Sequence, residues 1–244
     1  MIPKLKTVPA SKIPELHPQW ANVDLAEILS LPTAYLPIGY ANSTLSETGA
    51  QAGERLWERG RLPGGSIVNS VKMIRACREA SLRVVWSKYE IFRQGYPQTP
   101  MDKSQYDYWA KGKENWTEEQ KRRDCAPVAE VEELMLPGDE TVHYTSLGNI
   151  FLGTMLTQHL AAWGVRTLLL SGYHLDWCIE QAARTARDMG YMPIVVGDAC
   201  GCGREEDDAP TLERLNMFFA PVVSTDAAIE LVREGARRRR ARGS

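Results

Sequence analysis

One stretch, residues 167–199, constrains the fold of this chain more than any other. It reads TLLLSGYHLDWCIEQAARTARDMGYMPIVVGDA. An apolar strand over 167–171 runs into a polar turn that holds one cysteine, Cys178. A helix over about 177–189, stopped at Gly190, leads to a second apolar strand at 194–196. Two short apolar strands around one helix predict a βαβ unit with parallel strands. A helix N-terminus carries unpaired N–H groups and lowers the pKa of a cysteine placed there. Open α/β sheets also take their ligands at the C-terminal ends of the strands. Spacing alone leaves Cys178 two readings: a nucleophile, or a buried thiol on the first turn of a packed helix.

The rest of the chain extends this pattern. Residues 1–32 are rich in Pro and Lys and read as an arm on the surface or on a partner subunit, or as a disordered leader. The run 33–38 predicts the first strand, with Pro37 weakening that assignment. A helix over 66–81 and a strand over 83–87 follow, and Lys88, Tyr89 and Glu90 leave that strand at the ligand-binding rim. Residues 91–127 depart from the α/β rhythm, and so long a segment without a strand predicts a lid or binding excursion. Its Tyr106, Tyr108, Trp109 and Trp116 suit a flat or partly apolar substrate, or pack beneath a simple surface insertion. A strand at 141–144 and a helix over 151–163 precede the βαβ unit. After it come a loop over 197–210 that reads as mobile, a helix at 211–219, a last strand at 220–224 and a helix at 225–233. A basic run over 236–244, holding RRRRARGS from Arg237 on, reads as a solvated tail.

Composition narrows the class of function. The 244 residues suffice for one full core, and the formal net charge of −2 argues against a partner chosen by charge, such as nucleic acid. No apolar run reaches the roughly 18 residues that cross a bilayer, so a membrane is not expected. The first twenty residues lack the apolar centre of a secretory leader, and the five cysteines have no framework spacing. These features predict a cytoplasmic protein. The four dispersed histidines predict no metal site, and no dinucleotide or phosphate fingerprint predicts a cofactor.

At Cys178 the pattern resembles a known family. Gly172-Tyr173-His174-Leu175-Asp176-Trp177-Cys178-Ile179, then Ala183-Arg184 and Arg187-Asp188-Met189-Gly190-Tyr191, are similar to the isochorismatase-like cysteine hydrolases. That family includes nicotinamidases, N-carbamoylsarcosine amidohydrolases and ureidoacrylate or biuret hydrolases. Phe151-Leu152-Gly153-Thr154, Asp198-Ala199-Cys200 and Ser224-Thr225-Asp226 also resemble its motifs, and the similarity spans roughly residues 33–233. It implies a three-layer α/β/α fold around a central, mostly parallel, Rossmann-like sheet, in one domain over 33–235. It further implies a homo-oligomer, dimer or tetramer, and a frequently cis peptide bond between Tyr173 and His174.

The resemblance also implies a Cys–Asp–Lys triad, and here the chain departs. The Asp position falls on Gly39 and a following Gln position on Ala41. The Lys position falls on Thr145, and a slip of one or two residues gives Tyr144 or His143. The family's metal motif of one Asp and two His has no match. Cys178 is the triad member that remains. His174, four residues earlier, is the candidate imidazole base, with His143 a further candidate. Asp176 stands two before the nucleophile and completes the candidate catalytic set Cys178, His174 and Asp176. Tyr40, Lys88, Trp109 and Trp177 are the candidate substrate contacts. Lys121, Arg122 and Arg123 would suit a substrate carboxylate or a solvated helix.

The expected function is hydrolysis of a C–N bond in a small amide, urea or related substrate through a Cys178 thioester. Two alternatives stay open: lyase or isomerase chemistry on the same scaffold, and a non-catalytic relative that binds a ligand or partner.

Overall fold

The computed structural model describes residues 12–89, 99–109, 111–144 and 148–243. The described strands form a six-stranded sheet in the order β3-β2-β1-β4-β5-β6. They are β1 (Thr33–Ile38), β2 (Arg83–Tyr89), β3 (Glu140–Tyr144), β4 (Thr167–Tyr173), β5 (Met192–Gly201) and β6 (Val222–Val223). Every pairing between them is parallel. Strands in such a sheet are buried on both faces, which is why β1 and β4 read as continuous apolar runs and are buried throughout.

Period-two alternation divides the strand side chains between two cores. Ala34, Leu36, Ile38, Leu168, Leu170 and Val195 face the helices Leu156–Ala162, Glu180–Asp188 and Asp208–Phe218. Tyr35, Leu169, Ile194 and Val196 face Leu25–Ser30, Ser66–Glu79 and Thr225–Gly243. The result is the three-layer α/β/α architecture. Pro37 fits within a central strand because its carbonyl turns toward Ser87 of β2. The β1–β2 pairs run only through Ala34 and Tyr35, so its missing N–H faces a side where the ladder has ended.

Two segments differ from expectation. The 197–210 stretch continues β5 to Gly201, makes a short turn at Glu205–Asp207 and enters a helix at Asp208. Asp208 fixes it by accepting from the Cys202 N–H at 2.7 Å and from Lys12 at 2.5 Å. The basic run expected to be a solvated tail instead prolongs the last helix to Gly243. Its arginines turn back onto earlier elements: Arg238 reaches Asp24 at 2.6 Å and Arg242 pairs with Glu27, both at the helix Leu25–Ser30, while Arg239 donates to the Ala80 carbonyl at 2.7 Å. The helix Leu25–Ser30 is thereby joined to the body of the molecule. Among the described residues no helix is long and apolar enough to cross a membrane.

Candidate active site

The strand order places the site. Strand order reverses between β1 and β4, and the crevice at their C-terminal ends is where open α/β sheets bind ligands. Ile38, the last residue of β1, pairs with Gly172 of β4. The chain then leaves β1 through Gly39 and leaves β4 through Tyr173 and His174, joined by a cis peptide bond. One wide turn of helix, Leu175–Ile179, carries Cys178 and runs on into Glu180–Asp188.

These exits enclose a cavity of about 20 Å³, room for about one water molecule. Gly39, Ala41, Ser43, Thr44 and Gln51 form one side of it. Tyr144, Gly148, Tyr173, His174, Trp177 and Cys178 form the other. Cys178 is buried, and the Tyr144 hydroxyl stands 3.7 Å from its sulfur. Trp177 crosses Gly148 so closely that a Cβ there would lie 2.8 Å from the indole nitrogen. The Thr44 hydroxyl donates to the side-chain oxygen of Gln51 at 2.9 Å, which orients the Gln51 amide on the polar wall.

His174 is also buried, and its Nε2 lies 2.6 Å from a carboxylate oxygen of Glu54. Burial alone would lower the imidazole pKa. Hydrogen bonding to the Cys178 thiol and to the Glu54 carboxylate outweighs it, and the pKa is pushed up to about 10. The imidazole therefore carries its proton at neutral pH beside the thiol.

The backbone at Gly39 leaves no room for a side chain. Its φ is +74°, and a Cβ would lie 2.1 Å from the Tyr173 carbonyl oxygen. The exit of β1 has closed onto the exit of β4, and only glycine fits between them.

The structure brings together Cys178, His174 and Trp177 of the sequence-derived candidates. Asp176 is exposed, and its charge acts on Arg204, Arg214 and Cys202, away from the cavity. The Tyr40 hydroxyl turns into the sheet, bonded to Ser70, to Ser171 at 3.1 Å and to the Ala199 carbonyl at 3.3 Å. Tyr40, Lys88 and His143 line a neighbouring cavity of about 260 Å³, separate from the thiol. The side chains of Trp109 and Tyr106, and residue Thr145 as a whole, lie outside what is described. Tyr108 is exposed, and Trp116 and Arg123 line a third cavity beside Asp124. Glu54, Gln51 and the hydroxyl role of Tyr144 were not anticipated from sequence. Glu54 and Gln51 lie in a polar, glycine-rich stretch with no periodicity to mark them. Among the described residues no group of three or more His, Cys, Asp or Glu is placed to hold a metal ion.

Fold and site thus define an α/β protein with a single cysteine at the β1–β4 crevice. The Isochorismatase domain family profile matches residues 64–227, and the chain belongs to that family. Solved structures share the fold at low sequence identity. A cysteine hydrolase from Pseudomonas syringae pv. phaseolicola superposes with a TM-score of 0.68 at 17% identity, covering 84% of this chain and 94% of its own. N-carbamoylsarcosine amidase from Thermoplasma acidophilum has a TM-score of 0.58 at 20% identity, covering 80% and 98%. Nicotinamidase from Bacillus subtilis has a TM-score of 0.59 at 17% identity, covering 80% and 100%. No curated protein matches the sequence.

Proposed function

We propose that the protein is a cysteine hydrolase that cleaves the C–N bond of a small, compact amide or urea. One observation carries this reading: a buried histidine, hydrogen-bonded to a carboxylate, shares the cavity with the only cysteine that opens onto it among the described residues. The family resemblance supplies the nucleophile, and the imidazole supplies what the missing aspartate and lysine would have provided. Chemically, an imidazolium can favour the thiolate, donate a proton and later take one back, whereas aspartate and lysine divide those tasks.

The sequence of steps follows from those groups. The Cys178 thiolate attacks the carbonyl carbon, forming a C–S bond and moving the C=O electron pair onto oxygen. As that pair returns, the C–N bond breaks, and the His174 imidazolium gives its proton to the departing nitrogen. The acyl group is left on sulfur as a thioester. Neutral His174 then takes a proton from water while the hydroxyl adds to the thioester carbonyl, and the C–S bond breaks to release the acid and restore the ion pair. The Tyr144 hydroxyl, 3.7 Å from the sulfur, stands to donate to the thiolate between turnovers. Ser43, Thr44 and Gln51 offer polar contacts to the substrate, and Trp177 offers an apolar wall.

The test is a panel of small primary amides, ureas and ureides, assayed for ammonia or amine release and for acyl adducts by intact mass. Turnover of a panel member, with an adduct on the Cys178 peptide that is absent in Cys178→Ser, is the expected result. Turnover undiminished in Cys178→Ser, or a ligand bound without adduct or release, would replace this reading with altered chemistry or a binding role.

A further inference from the structure

His174 cannot serve as a proton carrier unless something holds the ring, and the residue that does so comes from a part of the chain far from the nucleophile. Glu54 ends a short turn, Ala52–Glu54, and the next residue, Arg55, takes a left-handed conformation with φ of 55°. That reversal sends Leu56 into the core, where it is buried, and turns the Glu54 carboxylate toward the crevice. The far wall of its niche is Gly203. A Cβ on residue 203 would lie 3.0 Å from the Glu54 carboxyl carbon and 3.1 Å from its Oε1. The Gly203 backbone is fixed in turn by the buried Arg59, which donates to the carbonyl of Cys202 at 2.6 Å and to that of Gly203 at 3.3 Å. The carboxylate is therefore seated between a glycine that leaves it room and the imidazole it contacts.

We propose that Glu54 is the positioning residue of this site: its carboxylate fixes the orientation and charge of the His174 ring, so that a Cys178–His174–Glu54 relay stands where the family places Cys, Asp and Lys. The assignment rests on the hydrolase reading for its role in turnover, although the pairing itself does not depend on it. A carboxylate behind a catalytic imidazole orients the ring and stabilises the imidazolium without reacting itself. The other groups near the ring do not substitute for it. The Tyr144 hydroxyl turns to Cys178 and the Tyr173 hydroxyl to Ser66, Trp177 presents its ring at 6.0 Å, Asp176 acts on Arg204 and Arg214, and Arg59 is engaged with Asp208 and the 202–203 carbonyls.

Three variants test this: Glu54→Gln, Glu54→Asp and Gly203→Ala. Two readings are taken on each: titration of the His174 imidazole by NMR, assigned with His174→Gln, and the pH dependence of Cys178 alkylation. Glu54 is one-third exposed, so the isosteric glutamine leaves the fold intact. Glu54→Gln is expected to lower the imidazole pKa by at least about one unit, as loss of a hydrogen bond to a charged group does, and to move the alkaline limb of the Cys178 alkylation profile down with it. Glu54→Asp should fall between Glu54→Gln and the unaltered chain. Gly203→Ala should shift both readings in the direction of Glu54→Gln while keeping all three side chains. An imidazole that titrates identically in Glu54→Gln and the unaltered chain would overturn the assignment. Should Cys178 alkylate as an ordinary thiol while the imidazole still answers to Glu54, the hydrolase reading fails and the positioning pair stands.

Discussion

The carbonyl oxygen of Tyr173 lies 2.1 Å from where a Cβ on Gly39 would stand. This contact separates the crevice from the arrangement that the family resemblance implies. An aspartate after β1 would need both a different φ and a wider gap between the exits of β1 and β4. The backbone itself thus excludes a side chain at residue 39.

Placing an aspartate there should fail. Gly39→Asp is expected to destabilise the fold by about 2 kcal/mol or more, from a left-handed backbone together with overlap on a carbonyl. For a chain of this size that is a fall of several degrees in melting temperature. Thermal unfolding, read beside the activity of a double variant with His174→Gln, checks this. Recovery of turnover in the double variant would show that the old position still works.

Tyr40 should matter to stability and not to substrate. Its hydroxyl is buried among Ser70, Ser171 and the Ala199 carbonyl, and burial raises its pKa far above the ordinary phenol range. Tyr40→Phe is expected to cost about 1–2 kcal/mol by leaving those partners short of one hydrogen bond. KM should remain unchanged. A rise in KM without loss of stability would place the hydroxyl in the substrate site instead.

Asp124 gives a pH-dependent prediction. It is the penultimate residue of the helix Glu118–Cys125; one oxygen accepts from the Ala50 N–H at 2.9 Å, and the other has no hydrogen-bond partner. Burial pushes its pKa up to about 6, from an unfolded value near 3.8. A carboxyl whose pKa rises on folding binds its proton more tightly in the native state. Its charge therefore costs stability progressively as pH climbs from about 4 through 6, and fully above that. Asp124→Asn keeps an acceptor for Ala50 and removes the charge. It should raise stability by about 2 kcal/mol at pH 8 and by much less at pH 4. Denaturant midpoints at the two pH values measure the difference, and an equal effect at both would contradict it.

The layered fold was legible because its signals are local. Leu168–Leu170 and Ile194–Val196 are apolar runs with a helix between them, and a parallel sheet buried on both faces demands such runs. Cys178 and His174 were legible because they share that unit. Glu54 was not, because its partner is 120 residues away and no periodicity links a turn residue to a strand exit. The setting of the Tyr40 hydroxyl was not legible for a related reason. Its position after β1 was readable, but the direction of its side chain depends on Ser70 and Ser171, on other elements. The C-terminal arginines read as a tail because repeated charge has no apolar face. Their carboxylate partners, Asp24 and Glu27, lie in the opposite end of the chain.

The central claim is that His174 activates Cys178. The most direct test is the alkylation rate of Cys178 with iodoacetamide across pH 5–10, read by peptide mass spectrometry on the unaltered chain and on His174→Gln. An activated pair predicts an inflection well below the ordinary thiol value of about 8.5, moving up to that value in His174→Gln. A rate that rises only above about pH 8 in both proteins would show an ordinary buried thiol and remove the basis for cysteine catalysis here.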